Sequence, residues 1–353
     1  MGRNELCSIF DRLGWKYIEL YNEDGGSILI LERGCRVIGV YPDSNAENAV
    51  WVRPELAELA NSAAVTGMKE SWNIGGDRTF ISPEVEYFYN PSTAAYLIPA
   101  ALDPGSYETG NRVHGSLTAN QTVNLQAYRS DCEIGFDMSK RIRLVPDPLK
   151  LNEAEYGLEY SFVGYEVEAE IVRHDHLFLG DETKQLPPLS LWNLIQVPAA
   201  GEAILPTNGP AKTVSFLAGY TPCGLQEEPD HIRFQIDARV KSKISIRAGE
   251  TTGKIGYIRT TADGRSLLLI RSFRVDPTKL YGDVPLDRQD DFGHCVQCYN
   301  DDGAFGYFGE IEYHTPLMES TDRVLTDVSQ VWCYVGDREQ IGKVADVLLQ
   351  ARI

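Results

Sequence analysis

Residues 309–314 read GEIEYH, and the order of residue types there decides the fold. Ile311 and Tyr313 are apolar, Glu310, Glu312 and His314 are ionisable, and the two sets alternate. Successive side chains of a strand point to opposite faces, so a period of two means one buried face and one polar face. The same alternation recurs outward in both directions. KYIELY (16–21), SILILERG (27–34), CRVIGVY (35–41), FISPEVEYFY (80–89), TVNLQAYR (122–129) and RIRLV (141–145) read as strands. So do YEVEAEIV (165–172), TVSFLAG (213–219), IRFQID (232–237), KISIRA (243–248), SLLLIRSFRV (266–275) and VWCYV (331–335). NEDGG (22–26), DPGS (103–106), ADGR (262–265) and NDDG (300–303) supply turn geometry between them. Helix patterns are few: Glu5 to Leu13, PELAELANSA (54–63), and a tail from Asp337 to Ala351 with Ile341, Val344, Val347 and Leu348 at helical spacing. The order shows no strand-helix-strand alternation, which excludes a Rossmann or TIM arrangement, and no fixed-period repeat, which argues against a propeller. The fold class is all-β: a single domain over residues 1–353, built of two large twisted, mainly antiparallel sheets with a few short helices.

Composition bounds the partners. Of 353 residues 43% are hydrophobic and 24% charged, enough to bury a core and inconsistent with disorder. Lys and Arg number 33 against 51 Asp and Glu, a formal charge of −18. Such a surface repels nucleic acid and anionic lipid, so the expected partner is a small molecule, with no nucleic acid and no membrane. No apolar run is long enough to span a bilayer. The opening MGRNELCSIF lacks the basic-then-apolar order of a secretion signal. The seven cysteines show no disulfide framework, and a cytoplasmic location is the expectation, with a previously removed leader left open. The sequence leaves monomer or dimer open.

Several motifs suggest chemistry they do not support. GETTGKIG (249–256) has three residues where a phosphate loop needs four, and Ile255 follows its Lys; it reads as a hairpin turn. Cys295 and Cys298 in GHCVQCYN (293–300) lack a second pair to complete a zinc site and read as buried, inert thiols. His174 and His176 share a face if VRHDHLF (172–178) is a strand, yet no third ligand accompanies them, so no metal is expected. NQT (120–122) is a glycosylation sequon, relevant only to a secreted chain.

Two segments resist explanation as packing. WNIGGDRTFISPEVEYFY (72–89) places Asp77, Arg78 and Glu84 among aromatics beside the Gly75-Gly76 pair. Aromatic faces take the C–H face of a pyranose, while Arg and carboxylates take its hydroxyls; the alternative is a bulge with a surface Asp77–Arg78 pair. FGYFGEIEYHTPLMES (305–320) lines Glu310, Glu312 and His314 on one strand face, with Gly306 and Gly309 thinning the approach. Neighbouring carboxylates and an imidazole can be tuned for proton transfer, or can form a wet face. A third segment, SLWNLIQVPAAGEAILP (190–206), offers Trp192, Asn193 and Gln196 as lining.

On these residues the chain resembles the galactose mutarotase-like superfamily, which includes the aldose 1-epimerases, in an uncharacterised bacterial branch. ILERGCRVIGVYPDSNAENAVWV (30–52) is similar to that family's first hairpin, closed by Asn48 to Trp51. GGDRTFISPE (75–84) and His114-Gly115 are similar to elements of its sugar-phosphate branch, and GEIEYHTP (309–316) to the strand bearing the catalytic glutamate. The resemblance implies a β-supersandwich with a carbohydrate cleft on the concave sheet, a monosaccharide or glycan as ligand, and no cofactor. It implies a glutamate that takes the anomeric proton, Glu312 first and Glu310 second, and a histidine that protonates the ring oxygen. The family's mid-chain Asn-His-x-x-Phe-Asn is replaced here by Leu191-Trp192-Asn193-Leu194. The acid would then be His176, His114, His231 or His314. Arg78, Asp77, Glu84, His114, His174, Trp192, Asn193 and His314 are the candidate sugar contacts. Three functions compete: a cofactor-independent, epimerase-like isomerase, a carbohydrate-binding protein without turnover, and a glycan hydrolase or lyase. The third ranks last, because Glu310 and Glu312 sit two apart on one strand, whereas glycosidase carboxylates flank the bond.

Overall fold

The computed structural model describes residues 1–59, 73–110, 115–150, 157–174 and 186–351. Among these, the strands form two large sheets and one small hairpin. The nine-stranded sheet runs in order through Tyr17–Tyr21, Ser27–Leu31, Arg36–Tyr41, Asp77–Ser82, Ser190–Pro198, Phe308–His314, His294–Asn300, Ser242–Arg247 and Val214–Ser215. The ten-stranded sheet runs through Leu225–Glu227, His231–Ile236, Gly201–Pro206, Lys254–Thr260, Ser266–Phe273, Val324–Gly336, Ser161–Arg173, Cys132–Val145, Ser116–Ala127 and Glu108–Thr109. Neighbouring strands pair antiparallel in both. The all-β, two-sheet architecture with few helices is the one the alternation predicts.

The reason is visible in the side chains. Ile311 and Tyr313 join Ile195, Val197, Val296 and Ile244 on the inner face of the nine-stranded sheet. Val163, Tyr165, Leu267, Leu269 and Val331 meet them from the other sheet. Each sheet thus hides one face on the other, which is where apolar burial contributes most. The helix Arg3–Leu13 packs Leu6, Ile9 and Phe10 on Leu29, Leu31 and Ile38, covering one end of the outer face of the nine-stranded sheet. The helix Arg338–Leu349 lays Ile341, Val344 and Leu348 on Ile204, Leu268, Ile270 and Tyr334, the outer face of the ten-stranded sheet.

Some expectations are corrected. The strand read over 80–89 stops at Ser82, and Glu84–Tyr87 forms a helical turn. Pro83 has no amide to give a ladder, and Phe88 N donates to Glu84 O at 2.9 Å instead. TVSFLAG contributes only Val214–Ser215 to a strand. Within PELAELANSA the helix covers Leu56–Leu59, and residues 60–63 lie outside the described residues. GETTGKIG is no hairpin turn: it carries the chain from one sheet to the other. The strands Gly201–Pro206 (GEAILP) and His294–Asn300 (HCVQCYN) are not marked by alternation, because their polar and apolar residues follow no period of two. Cys295 and Cys298 lie in the core between the sheets, and burial pushes both thiols up.

The glycine pair has a steric cause. Gly75 has φ +104°, and a Cβ there would sit 2.1 Å from the Trp51 carbonyl oxygen. Gly76 has φ +88°, and its Cβ would sit 2.6 Å from Val37 O. This close approach lets Trp51 N donate to Gln196 O at 2.7 Å. Gly75→Ala is expected to cost at least ~1–3 kcal/mol in urea unfolding, from backbone strain alone. An unchanged midpoint would refute that account.

Candidate functional site

The helix Arg3–Leu13 covers only one end of the outer face of the nine-stranded sheet, and the central strands carry polar side chains on that face. Register brings them together. Leu194 lies opposite both Arg78 and Glu312, and Gln196 lies opposite Glu310. Gln297 lies opposite Glu312, and Tyr299 lies opposite Glu310 and Lys243. Directly opposed residues of one face are within side-chain reach. The alternation that buries Ile311 and Tyr313 therefore also delivers Glu310, Glu312 and His314 to this face.

Glu312 is fully buried at the centre. Its Oε2 accepts from Trp192 Nε1 at 2.8 Å and lies 3.1 Å from Lys243 Nζ. Its Oε1 has no hydrogen-bond partner among the described residues. Burial raises its pKa to about 8, against the opposing pull of Lys243 and with the help of Glu310 and Glu84. Glu310 accepts at one oxygen from Arg78 at 3.1 Å and from Gln196 at 2.9 Å. Burial raises its pKa too, and Arg78 limits the rise. Lys243 also reaches Glu84 at 3.1 Å and lies over the Trp192 ring at 5.1 Å. Burial alone would neutralise this lysine, but the carboxylates of Glu312, Glu84, Asp283 and Glu310 outweigh it and hold the ammonium charged.

Behind Glu312 sits His314, stacked on Trp192 with ring centroids 5.7 Å apart. Its Nδ1 lies 3.0 Å from Ser82 Oγ, and its Nε2 lies 3.6 Å from Asp283 Oδ2. Burial, then Lys243, drives its pKa well below the ordinary value, so the ring is neutral. Asp283 accepts from Glu84 N and from Gln297 Nε2, both at 2.7 Å. Two side chains open the cluster to solvent: that of Glu310 is 14% exposed and that of Glu84 is 24% exposed. Half-exposed Tyr96 stacks on Phe88, which in turn packs edge-on against Trp192.

Of the residues expected from the sequence, Glu310, Glu312, His314, Arg78, Glu84 and Trp192 share this face. Asp77 and Asn193 point the other way. Asp77 pairs with Arg271 at 2.7 Å between the sheets, and Asn193 donates to Asp327 at 3.1 Å. The surface pair of Asp77 with Arg78 does not form, because adjacent strand residues face apart. Gly309 does not thin the approach to the site, since a Cβ there would meet Ile236 of the other sheet at 2.4 Å. His174 directly follows the strand Ser161–Arg173 of the ten-stranded sheet, 3.1 Å from Asp137. His231 belongs to that sheet as well, beside Asp230. His114 and His176 lie outside the described residues. Lys243, Asp283 and Gln297 were missed. Lys243 opens an alternating run and was legible as its polar face; Gln297 hides in a fully buried strand, and Asp283 comes from a loop with no periodicity. Among the described residues, no group of three or more His, Cys, Asp or Glu side chains is placed to hold a metal ion.

The strands that carry Arg78, Trp192, Lys243, Gln297 and Glu312 all lie within residues 51–353, and the model of a family of unknown function (DUF6786) matches that same span. The chain belongs to that family. No curated protein matches the sequence. Among solved structures, a GalM/aldose epimerase homologue from C. elegans is 10% identical with a TM-score of 0.43, covering 92% of this chain and 99% of its own. A provisionally named aldose 1-epimerase from Klebsiella pneumoniae subsp. pneumoniae is 12% identical with a TM-score of 0.44, covering 96% of this chain and 84% of its own. For a member of DUF6786, the arrangement around Glu312 is thus the most direct source of a functional reading. Among the described residues, no helix is long and apolar enough to cross a membrane.

Proposed function

We propose that this DUF6786 chain binds a carbohydrate on the outer face of its nine-stranded sheet, and that Glu312 is the proton-transfer group of an epimerase-like ring opening. One observation carries the reading. A fully buried carboxyl, held at one oxygen by Trp192 and Lys243, keeps its other oxygen unpartnered beside a second carboxylate and an aromatic wall. A buried acceptor without a partner is costly, and it is tolerated where a ligand supplies the donor. In anomer interconversion a base takes the anomeric hydroxyl proton as the bond from C1 to the ring oxygen breaks, an acid protonates that oxygen, and closure on the other face reverses both, so a carboxyl that titrates near the working pH serves the base half.

With Glu312 titrating at about 8, anomer exchange is expected to rise with pH and level off above that value, because the base must be ionised to accept the anomeric proton. Magnetisation-transfer NMR on free aldoses, uronic acids and sugar phosphates across this range reads the profile. A flat profile removes Glu312 from the base role.

The binding reading without turnover has its own observation. The histidine beside Glu312 is fully buried and neutral, and its Nδ1 is taken by Ser82. Saturable sugar binding with no faster exchange of any anomer would favour it.

A further inference from the structure

The outer-face cluster is unbalanced in charge. Among the described residues five carboxyls, Glu84, Asp103, Asp283, Glu310 and Glu312, face four cations, Arg33, Arg36, Arg78 and Lys243, with Arg33 and Arg36 on the Asp103 side. Arg36 is spent on Asp103 and on Gly75 O, and Arg78 is shared between Asp103 and Glu310. That leaves Lys243 to serve Glu84, Glu312 and Asp283. Three buried acceptors of the site also lack a partner among the described residues. Gln196 and Gln297 each spend the amide nitrogen on a carboxylate, Glu310 and Asp283. This fixes their orientation, and both Oε1 atoms are left buried without a partner, as is Glu312 Oε1. Three nitrogens, Arg36 Nε, Arg78 Nε and His314 Nε2, are likewise without a hydrogen-bond partner among the described residues, and the Arg78 guanidinium lies over the Phe80 ring at 5.0 Å, so the imbalance of the site is one of charge. Excess negative charge in a buried site is relieved by a bound proton or by a cation. A ligand that presents a positive charge relieves this excess, and its N–H groups can reach the unpartnered oxygens; a uronate or a sugar phosphate adds to the negative charge.

Resting on the carbohydrate reading above, we infer that the preferred ligand of this site is a sugar bearing a free protonated amine, whose ammonium enters among Glu84, Glu310 and Glu312 and displaces a proton held there. The −18 surface draws such a cation in at long range. Acetylating the amine removes the charge while keeping the ring, so the amide is the natural control.

The experiment is titration calorimetry of the full chain with glucosamine, N-acetylglucosamine, glucose and glucuronate at about pH 6.5, where a sugar ammonium stays charged. It is run in two buffers of different ionisation enthalpy. Glucosamine is expected to bind about tenfold or more tighter than glucose or N-acetylglucosamine, a difference of ~1.4 kcal/mol. Its apparent enthalpy is expected to shift with the buffer in the sense of proton release, and glucuronate is expected to bind weakest. Glu84→Gln, at the rim, is expected to shrink the glucosamine-to-glucose ratio, with the fold checked by its melting curve. Neutral sugars binding as well as glucosamine, or no proton release, would overturn this inference and leave the carbohydrate reading standing. Failure of all four sugars and of larger glycans, amino glycans included, would overturn both.

Discussion

Glu312→Gln is expected to lose ~10²–10⁴-fold in anomer exchange while sugar still binds, the range that removing a positioned general acid or base costs. Gln keeps an oxygen for the Trp192 indole but cannot accept a proton. The same variant has a signature in stability that needs no substrate. The folded pKa of Glu312 stands at about 8 against an ordinary 4.5, so between those values the folded chain holds a proton that the unfolded chain has released. That proton stabilises the fold below the unfolded value, and the contribution is lost as pH rises through the folded one. The wild-type melting temperature should therefore fall across this window, and Glu312→Gln should fall less. Glu310 and Asp283 are raised in the same direction and keep part of the slope. Equal slopes for both proteins would show that Glu312 is ionised throughout. Full exchange activity in the variant would move the base elsewhere, with Glu310 next in line.

Asp77→Leu is expected to destabilise the chain by ~3–5 kcal/mol, with no role for the ligand. Asp77 pairs with Arg271 at 2.7 Å and accepts from Tyr165 OH at 2.9 Å, all between the two sheets. Arg271 is fully buried, and burial alone would lower its pKa; Asp77 outweighs that and keeps it charged. Removing the carboxylate strands a guanidinium in the core, which costs more than the pair itself contributes. The double variant Asp77→Leu with Arg271→Met is expected to recover much of the loss in urea unfolding. Additive losses in the two single variants would show that the pair is not coupled. Sugar affinity should be unaffected in the folded fraction, because Asp77 faces away from the outer surface.

These two carboxylates show how far the sequence reaches. Glu312 sits in a strand that alternates, and alternation alone places Glu310, Glu312 and His314 on one face and Ile311 and Tyr313 on the other; Asp77 opens DRTFIS (77–82), where polar and apolar residues do not alternate and every residue is buried. The periodic segments thus carry their own face assignment. The assignment fails in His294–Asn300, where every residue is buried and the polar residues His294, Gln297 and Asn300 fall three apart, so no period of two appears. It fails again in the loop bearing Asp283, which has no period at all. Arg78 was legible as a site residue, but its neighbour Asp77 was grouped with it, although a strand must send the two apart.

The sequence by itself determined the class of fold, the two-faced strands and the chemistry carried by GEIEYH. Those features are local, set by the geometry of one residue relative to the next. Only the tertiary structure decided which strands lie side by side, and hence that Lys243, more than sixty residues upstream, supplies the cation for Glu312. It also decided that Trp192 holds the carboxyl from the neighbouring strand, and that Asp77 serves the core. Strand order comes from packing two whole sheets face to face, an energy shared among residues far apart in the chain, and no short stretch encodes it.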